Sequence, residues 1–343
     1  MGSVFKYGRS ILAPKGVPLP TILVTCTADE KFRKAVVDVL TGTGNVAFLS
    51  DIPENKRSTE LSHADVLMSW HLGHELKPFE MAMISKVRLL QLLSAGVDHV
   101  TFSEIPASVT IAGNVGAYAE QMAEHALAMI LAIYKNMLDR HNKLTRGFFD
   151  QDTPNRMLEG SICAILGFGG IGRACARRLR CLGVKIFAIN TSGKTDEPVE
   201  FVGTLKDLEH VFRRADIIIV SIPLTKATRR LIGKRELSWF KSDATIVNLA
   251  RGDIIDEAAL FEKLKTQPNF NAAIEAWWSE PFGKGKFRTA YPFLELPNVL
   301  GSPHNSGVIP DAMPIAATYA AENVKRFLNN QQIAGIVNRS DYS

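Results

Sequence analysis

ICAILGFGGIGRACARRLRCLG, residues 162–183, decides the fold. An apolar run leads into Gly167, Gly169 and Gly172, spaced G-x-G-x-x-G, and an arginine-rich amphipathic segment follows at once. In a strand–turn–helix the first glycine permits the tight turn, the second lets backbone approach a pyrophosphate, and the third lets helix pack closely on strand. The helix N-terminus adds free N–H groups and about half a positive charge. A further strand pattern, KIFAIN at 185–190, arrives within about 30 residues of the first, the span of one βαβ unit. An isolated glycine triplet is more often an ordinary loop, but in this setting dinucleotide binding outweighs that reading. The triplet alone does not name the cofactor, because a methyltransferase fold also carries a glycine-rich first turn.

Outward from this turn, short apolar runs alternate with helical patterns. On the N-terminal side stand TILVTCT (21–27), VAFLS (46–50), ADVLMSW (64–70), LLQLLS (89–94) and SVTIAGN (108–114). On the C-terminal side, after ICAILGF and KIFAIN, come ADIIIVSIP (215–223), ATIVNLA (244–250), NAAIEAW (271–277) and NVLGSPH (298–304). Nearly continuous apolar strands in βα alternation predict an α/β protein with two doubly wound parallel sheets, each covered on both faces. Between the two series, residues 120–138 are apolar almost all round and predict one long buried helix. Residues 145–160 read as an ordered polar connection, and residues 311–329 as a last helix with Pro314 in its first turn.

The chain has 343 residues, 46% hydrophobic and 22% charged, enough for two domains at roughly 150 residues each and unlike a disordered chain. Its 40 basic and 35 acidic residues leave a diffuse +5, which gives no footprint for nucleic acid. No uncharged apolar run reaches the roughly 20 residues of a membrane span, and no signal-peptide pattern opens the chain. The opening MGSVFK has Lys6 where a myristoylation signal needs Ser or Thr. Cys26, Cys163, Cys175 and Cys181 lack C-x-x-C spacing and read as reduced residues, three of them in apolar or helical patterns. The expectation is a cytoplasmic protein with no nucleic acid, membrane or metal partner.

About 20 residues past the glycine turn, where an acidic residue usually binds the adenosine ribose, stands Asn190. No carboxylate there repels a 2′-phosphate, and Thr191, Ser192 and Lys194 can donate to one, which favours NADP over NAD. A solvated loop serving either cofactor is the plainer reading. Of Arg173, Arg177, Arg178 and Arg180, only Arg173 stands close to the turn.

Three polar residues follow late strands, at the edge where a doubly wound sheet opens its crevice: Arg251, Glu280 and His304. A guanidinium clamps a carboxylate bidentately, an imidazole exchanges protons near neutral pH, and a carboxylate orients that imidazole. These are the parts needed to interconvert a 2-oxo acid and a 2-hydroxy acid beside a nicotinamide.

With GFGGIG from Gly167, SIPLTKATRRLIG from Ser221, VNLARGDIIDEAAL from Val247, IEAWWSEP from Ile274 and SPHNSG from Ser302, the sequence resembles the D-isomer-specific 2-hydroxyacid dehydrogenases. That family includes glyoxylate/hydroxypyruvate reductases and phosphoglycerate dehydrogenases. The resemblance covers nearly the whole chain. It implies a Rossmann nucleotide-binding domain (116–304) inserted into a flavodoxin-like substrate domain (1–115 and 305–343), usually assembled as a homodimer through the nucleotide domain. It implies that Arg251 binds the substrate carboxylate and oxo group, that His304 is the acid/base and that Glu280 partners it.

The resemblance also places the backbone of Ala95 and Gly96, in the loop SAGVDH, against the substrate carboxylate, with Trp70, Leu72 and Gly73 approaching from the same domain. Cofactor contacts are implied for Gly167, Phe168, Gly169, Gly170, Ile171, Gly172, Asn190, Thr191, Ser192, Lys194, Ile222, Pro223, Thr228, Leu249, Ala250 and Glu275. Glu275 departs from the family, which commonly has an Asp touching the nicotinamide carboxamide. Trp277 and Trp278 stand where a smaller aromatic is frequent, as an active-site wall or as core, and His125 in AEHA reads as structural. The short tail after the last helix leaves no room for a regulatory domain.

The first reading is an NAD(P)H-dependent reductase of a small 2-oxo acid, of glyoxylate or hydroxypyruvate type. The alternative is a corepressor-like interaction protein on the same fold, and formate dehydrogenase is disfavoured because it carries Gln where Glu280 stands.

Overall fold

The computed structural model describes residues 18–281 and 286–342, which divide into two compact units. Residues 1–6, with the MGSVFK opening, lie outside the described residues.

One unit is built from residues 18–114 and 313–338. Its five parallel strands are β1 (Thr21–Val24), β2 (Asn45–Phe48), β3 (Val66–Ser69), β4 (Leu89–Leu92) and β5 (Thr110–Ala112), in the order β2-β1-β3-β4-β5. This is the flavodoxin-like order, which reverses between β1 and β3 and opens a crevice at their carboxyl ends. β3 and β4 are buried throughout, which is why they read as unbroken apolar runs. The helix Glu30–Leu40 starts where Asp29 accepts the Phe32 N–H, and it buries Phe32, Val36 and Leu40 on the sheet. The helix Ala312–Leu328, with Pro314 in its first turn, adds Ala317, Ala320, Ala321 and Val324 to the same core.

The other unit is built from residues 115–281, 286–312 and 339–342. Its sheet has seven parallel strands: β6 (Ile162–Leu166), β7 (Lys185–Ile189), β8 (Phe201–Gly203), β9 (Ile217–Val220), β10 (Thr245–Asn248), β11 (Asn271–Ile274) and β12 (Val299–Gly301). The order β12-β11-β10-β9-β6-β7-β8 reverses between β6 and β9, the Rossmann switch point. β8 is an edge strand of three residues absent from the sequence reading; its FVG is too short to show a period.

Residues 120–138 do not form one buried helix. The helix Ala119–Tyr134 ends at Asn136, which adopts φ 48° and ψ 36°, and a second helix, Met137–Thr145, follows. Asparagine tolerates this left-handed conformation better than most residues, so it redirects the chain. The first helix buries a stripe (Ala119, Ala123, Ala126, Met129, Ile130, Tyr134), whereas the second buries no residue.

The chain crosses between units at 114/115, 312/313 and 338/339, where the sequence reading expects 115/116 and 304/305. Residues 302–306 stay with the second sheet because Ser302 N–H donates to Ile274 O and His304 N–H to Glu275 O. The tail is held there by Lys226 N–H donating to Asp341 O. All four cysteines are free; Cys26, Cys163 and Cys175 are buried, and burial pushes the Cys26 and Cys175 thiols up to about 12. Cys181 is exposed, not a core residue. Among the described residues no helix is long and apolar enough to cross a membrane.

Candidate active site

At the end of β6 three of the turn's four glycines, Gly167, Gly170 and Gly172, meet a steric demand. Gly167 has φ +99°, and a Cβ there would stand 2.7 Å from Ile222 N. Its N–H and that of Phe168 donate to Ile189 O, while Ser221 Oγ donates to Gly167 O at 2.8 Å. A Cβ on Gly172 would overlap the Gly167 carbonyl oxygen, and one on Gly170 would come within 3.0 Å of Gly116 Cα. Gly169 differs, because a Cβ there would meet nothing within 4 Å. The glycine therefore keeps the space over the turn open without being needed for internal packing.

The helix Gly170–Arg180 begins with no side-chain cap and no acidic residue in its first turn. By contrast, Asp29 and Asp256 cap the helices that follow them. Uncapped N–H groups beside an open cradle fit the pyrophosphate of a dinucleotide. Ile171 packs partly buried on the core behind.

The loop after β7 is organised by Asn190. Its Oδ1 accepts Gly193 N–H at 2.7 Å and its Nδ2 donates to Lys194 O at 2.8 Å, leaving Thr191, Ser192 and Lys194 exposed. Arg173 does not project alone beside the turn: it pairs with Asp196 at 2.5 Å and lies over the Phe168 ring. Beyond β9, after Ile222 and Pro223, Thr228 Oγ1 donates to Pro223 O and accepts Thr225 N–H, closing that loop.

Arg251, Glu280 and His304 converge in this unit. Arg251 follows β10 after Leu249 and Ala250, and its guanidinium donates to Ala250 O at 2.7 Å. Glu280 Oε1 accepts Trp277 N–H at 2.7 Å, and its Oε2 lies 2.7 Å from His304 Nδ1. A carboxylate oxygen can only accept, so the ring donates through Nδ1. The Glu280 hydrogen bond raises the proton affinity of His304; burial opposes it, the Glu275 and Glu280 charges add to it, and Arg251 subtracts. Burial alone would raise the Glu280 carboxyl. The His304 bond, the Trp277 N–H and the charges of His304 and Arg251 outweigh it and hold that carboxyl below its ordinary value.

Several supporting residues escaped the sequence reading. Asn248, buried, accepts Ala250 N–H and donates to Arg251 O and Ala276 O, so it sets the loop that carries the guanidinium. A Cβ on Gly252 would overlap the Trp277–Trp278 backbone, so only glycine lets the two loops meet. Ser306 N–H donates to Glu275 Oε1 at 2.8 Å, and Glu275 Oε2 is buried without a hydrogen-bond partner. The Asn in N-L-A-R-G and the Ser in H-N-S are too generic to show such bonds in advance. Trp277 is core rather than wall: it packs on Phe287 and Phe293, and its indole N–H donates to Ser302 O. Trp278 stacks on Phe293. His125 sits half-buried on the helix Ala119–Tyr134, away from these contacts in sequence and in bonding.

In the other unit, Glu75 gathers the loop after β3: it accepts the N–H groups of Trp70 and His71 and the hydroxyls of Ser69 and Thr25. Leu72 and Gly73 lie in the short helix Leu72–Glu75. After β4, Ser94 Oγ donates to Gly96 O, and a Cβ on Gly113 would come within 2.9 Å of Ala95 O. Asn114 closes this loop through Ser94 O and Leu93 O.

The sequence model of the NAD-binding domain of D-isomer-specific 2-hydroxyacid dehydrogenases matches residues 127–306, more than half the chain, a range that holds the glycine turn and Arg251, Glu280 and His304. The chain belongs to this family. D-3-phosphoglycerate dehydrogenase of Methanocaldococcus jannaschii is 28% identical over 92% of the chain, which spans 59% of that protein's length. Glycerate dehydrogenase of Methylorubrum extorquens is 28% identical over 74% of the chain and 84% of the relative. Among solved structures, a glycerate dehydrogenase related protein of Thermoplasma acidophilum is 30% identical with a TM-score of 0.62, covering 90% of this chain and 99% of that one. Family membership accounts for the two-unit α/β architecture and makes the cofactor a nicotinamide dinucleotide.

Proposed function

We propose that this dehydrogenase-family chain reduces a small 2-oxo acid of the glyoxylate or hydroxypyruvate type to its D-2-hydroxy acid with NADPH or NADH. The observation that carries the reading is the His304–Glu280 pair at 2.7 Å with the Arg251 charge acting on both, behind an uncapped glycine turn. The dinucleotide, when bound, supplies the hydride to C2. Arg251 holds the substrate carboxylate and draws electron density from the oxo group. Protonated His304 gives its proton from Nε2 to the C2 oxygen as charge develops there, and Glu280 holds the ring in the required tautomer. Neutral His304 then takes a proton from solvent.

Substrate contacts are assigned to the backbone of Ala95 and Gly96 and to Trp70, Leu72 and Gly73. For the cofactor, residues 167–172 take the pyrophosphate, Ile222, Pro223, Thr228, Leu249 and Ala250 line the path, and Glu275 Oε2 accepts the carboxamide N–H. Asn190, Thr191, Ser192 and Lys194 favour NADP, because no carboxylate follows β7 directly and the three last residues are exposed. The assembly is assigned as a cytoplasmic homodimer. Met137, Leu138, Leu144, Phe148, Phe149 and Met157 are all exposed along one stretch of the nucleotide-binding unit, the apolar surface a second copy would cover.

The test is oxidation of NADPH and NADH by the full chain with a panel of 2-oxo acids. His304→Ala should lower kcat by roughly 10²- to 10⁴-fold. Arg251→Ala should raise KM as well as lower kcat, and dinucleotide affinity should survive both changes. A folded chain that binds dinucleotide but oxidises it with no 2-oxo acid refutes the reading.

A further inference from the structure

The arginines on the helix Gly170–Arg180 all have carboxylate partners, but those partners are not held alike. Arg177 and Arg178 pair with Glu120 at 2.6 and 2.7 Å, and Arg180 pairs with Glu197 at 3.4 Å. Glu120 belongs to the helix Ala119–Tyr134 and Glu197 is only 17% exposed, so these three arginines fasten the helix to its neighbours. Arg173 pairs with Asp196 at 2.5 Å, and the Asp196 side chain is 84% exposed. A pair so open to water is weakly held, which makes Asp196 the partner most easily exchanged for another anion.

The pair spans two segments with different tasks. Arg173 lies in the first helical turn, where its N–H donates to Gly169 O and its guanidinium stands 5.9 Å from the centre of the Phe168 ring. Asp196 lies on the loop after β7, which Asn190 folds back through Gly193 N–H and Lys194 O and which Arg180 holds by donating to Pro198 O at 2.7 Å. In a Rossmann unit the first segment takes the pyrophosphate and the second the adenosine ribose. Asp196 is ionised, since the Arg173 hydrogen bond holds its carboxyl below the ordinary value. A phosphate on the ribose 2′-oxygen would compete with that carboxylate for one guanidinium, and it offers more charge and more acceptor oxygens.

We propose that Arg173 binds the 2′-phosphate of NADPH and that Asp196, by holding the same guanidinium when no phosphate is present, sets how strongly the chain prefers NADPH to NADH. The inference rests on the assignment of the loop after β7 to the adenosine ribose, and it adds a cation and its counter-charge outside residues 190–194.

The experiment is calorimetric titration of the full chain, at low ionic strength where exposed charges are least screened, with adenosine 2′,5′-bisphosphate, 5′-AMP and inorganic phosphate. The first two probes differ only in the 2′-phosphate. Asp196→Asn keeps the shape and removes the charge; affinity for the bisphosphate should rise about two- to fivefold while that for 5′-AMP stays unchanged. Arg173→Gln should lower bisphosphate affinity at least about tenfold and again spare 5′-AMP. In the double variant the gain from D196N should vanish, because Asp196 acts through Arg173.

Unchanged bisphosphate affinity in D196N overturns the proposal. So does an R173Q that weakens 5′-AMP and the bisphosphate alike, a D196N gain that persists without Arg173, inorganic phosphate bound as tightly as the bisphosphate, or a parent that binds neither nucleotide. Should circular dichroism show one single variant unfolded, the other decides, since each must shift the bisphosphate and spare 5′-AMP. A chain that reduces no 2-oxo acid yet shows these shifts refutes the reductase reading and supports this assignment. Reduction of 2-oxo acids with a kcat/KM ratio for NADPH over NADH that neither substitution moves overturns this assignment alone.

Discussion

His304 and Glu280 form a coupled pair whose pH signature follows from the direction of each shift. His304 holds its proton more tightly when folded, so its contribution to stability is complete below the ordinary imidazole value of 6.5 and is lost as pH rises through the higher folded value. Glu280 is depressed, so its contribution is present above the ordinary carboxylate value of 4.5 and is lost as pH falls through the lower folded value. Both are fully present only between about 4.5 and 6.5. Urea unfolding of the parent and Glu280→Gln across this range should show the largest stability gap inside that window, narrowing on either side; a gap independent of pH would contradict the pairing. Arg251, Glu280 and His304 were legible in the sequence because each is a chemically distinctive residue at a strand end. Asn248 and Ser306 were not, because their work is to satisfy backbone groups of residues distant in the chain, and asparagine and serine do that anywhere.

At the scale of elements, the glycine turn separates steric need from binding need. Gly172→Ala would push a methyl into the Gly167 carbonyl, so thermal or urea unfolding should report a loss of roughly 1–3 kcal/mol. Gly169→Ala meets no protein atom within 4 Å and has φ −88°, so stability should stay within about 0.5 kcal/mol. Its dinucleotide affinity, read by fluorescence titration, should nevertheless fall at least about tenfold, because the methyl occupies space reserved for phosphate. Equal affinity in parent and G169A would remove the pyrophosphate from this cradle. Eleven of the described strands coincide with apolar runs visible in the sequence, since buried parallel strands need β-branched residues on both faces. β8 was invisible because its edge position leaves two of its three residues half-buried, and the break at Asn136 because a single left-handed residue leaves the surrounding helical pattern intact.

For the whole molecule, the alternation of strands and helices was enough to predict two parallel sheets, while the crossings between units depend on hydrogen bonds that no composition shift marks. The exposed residues 137–157 carry the prediction at this scale. Phe148 and Phe149 are 66% and 79% exposed. Sedimentation velocity of the full chain should show a dimer, and Phe149→Glu should shift it towards monomer, since burying an unpaired carboxylate opposes association. A parent that sediments as a monomer at all concentrations removes the second copy from this surface.

The first sheet draws its partners from both ends of the polypeptide. Asn114 reaches Ala316 across 202 positions, and Asn323 reaches Gln91 across 232. During synthesis, therefore, residues 18–114 leave the ribosome before the helix that covers their hydrophobic face, while the intervening Rossmann segment is contiguous in sequence. The strands made before the Rossmann segment therefore close their core only once the helix Ala312–Leu328 has been made.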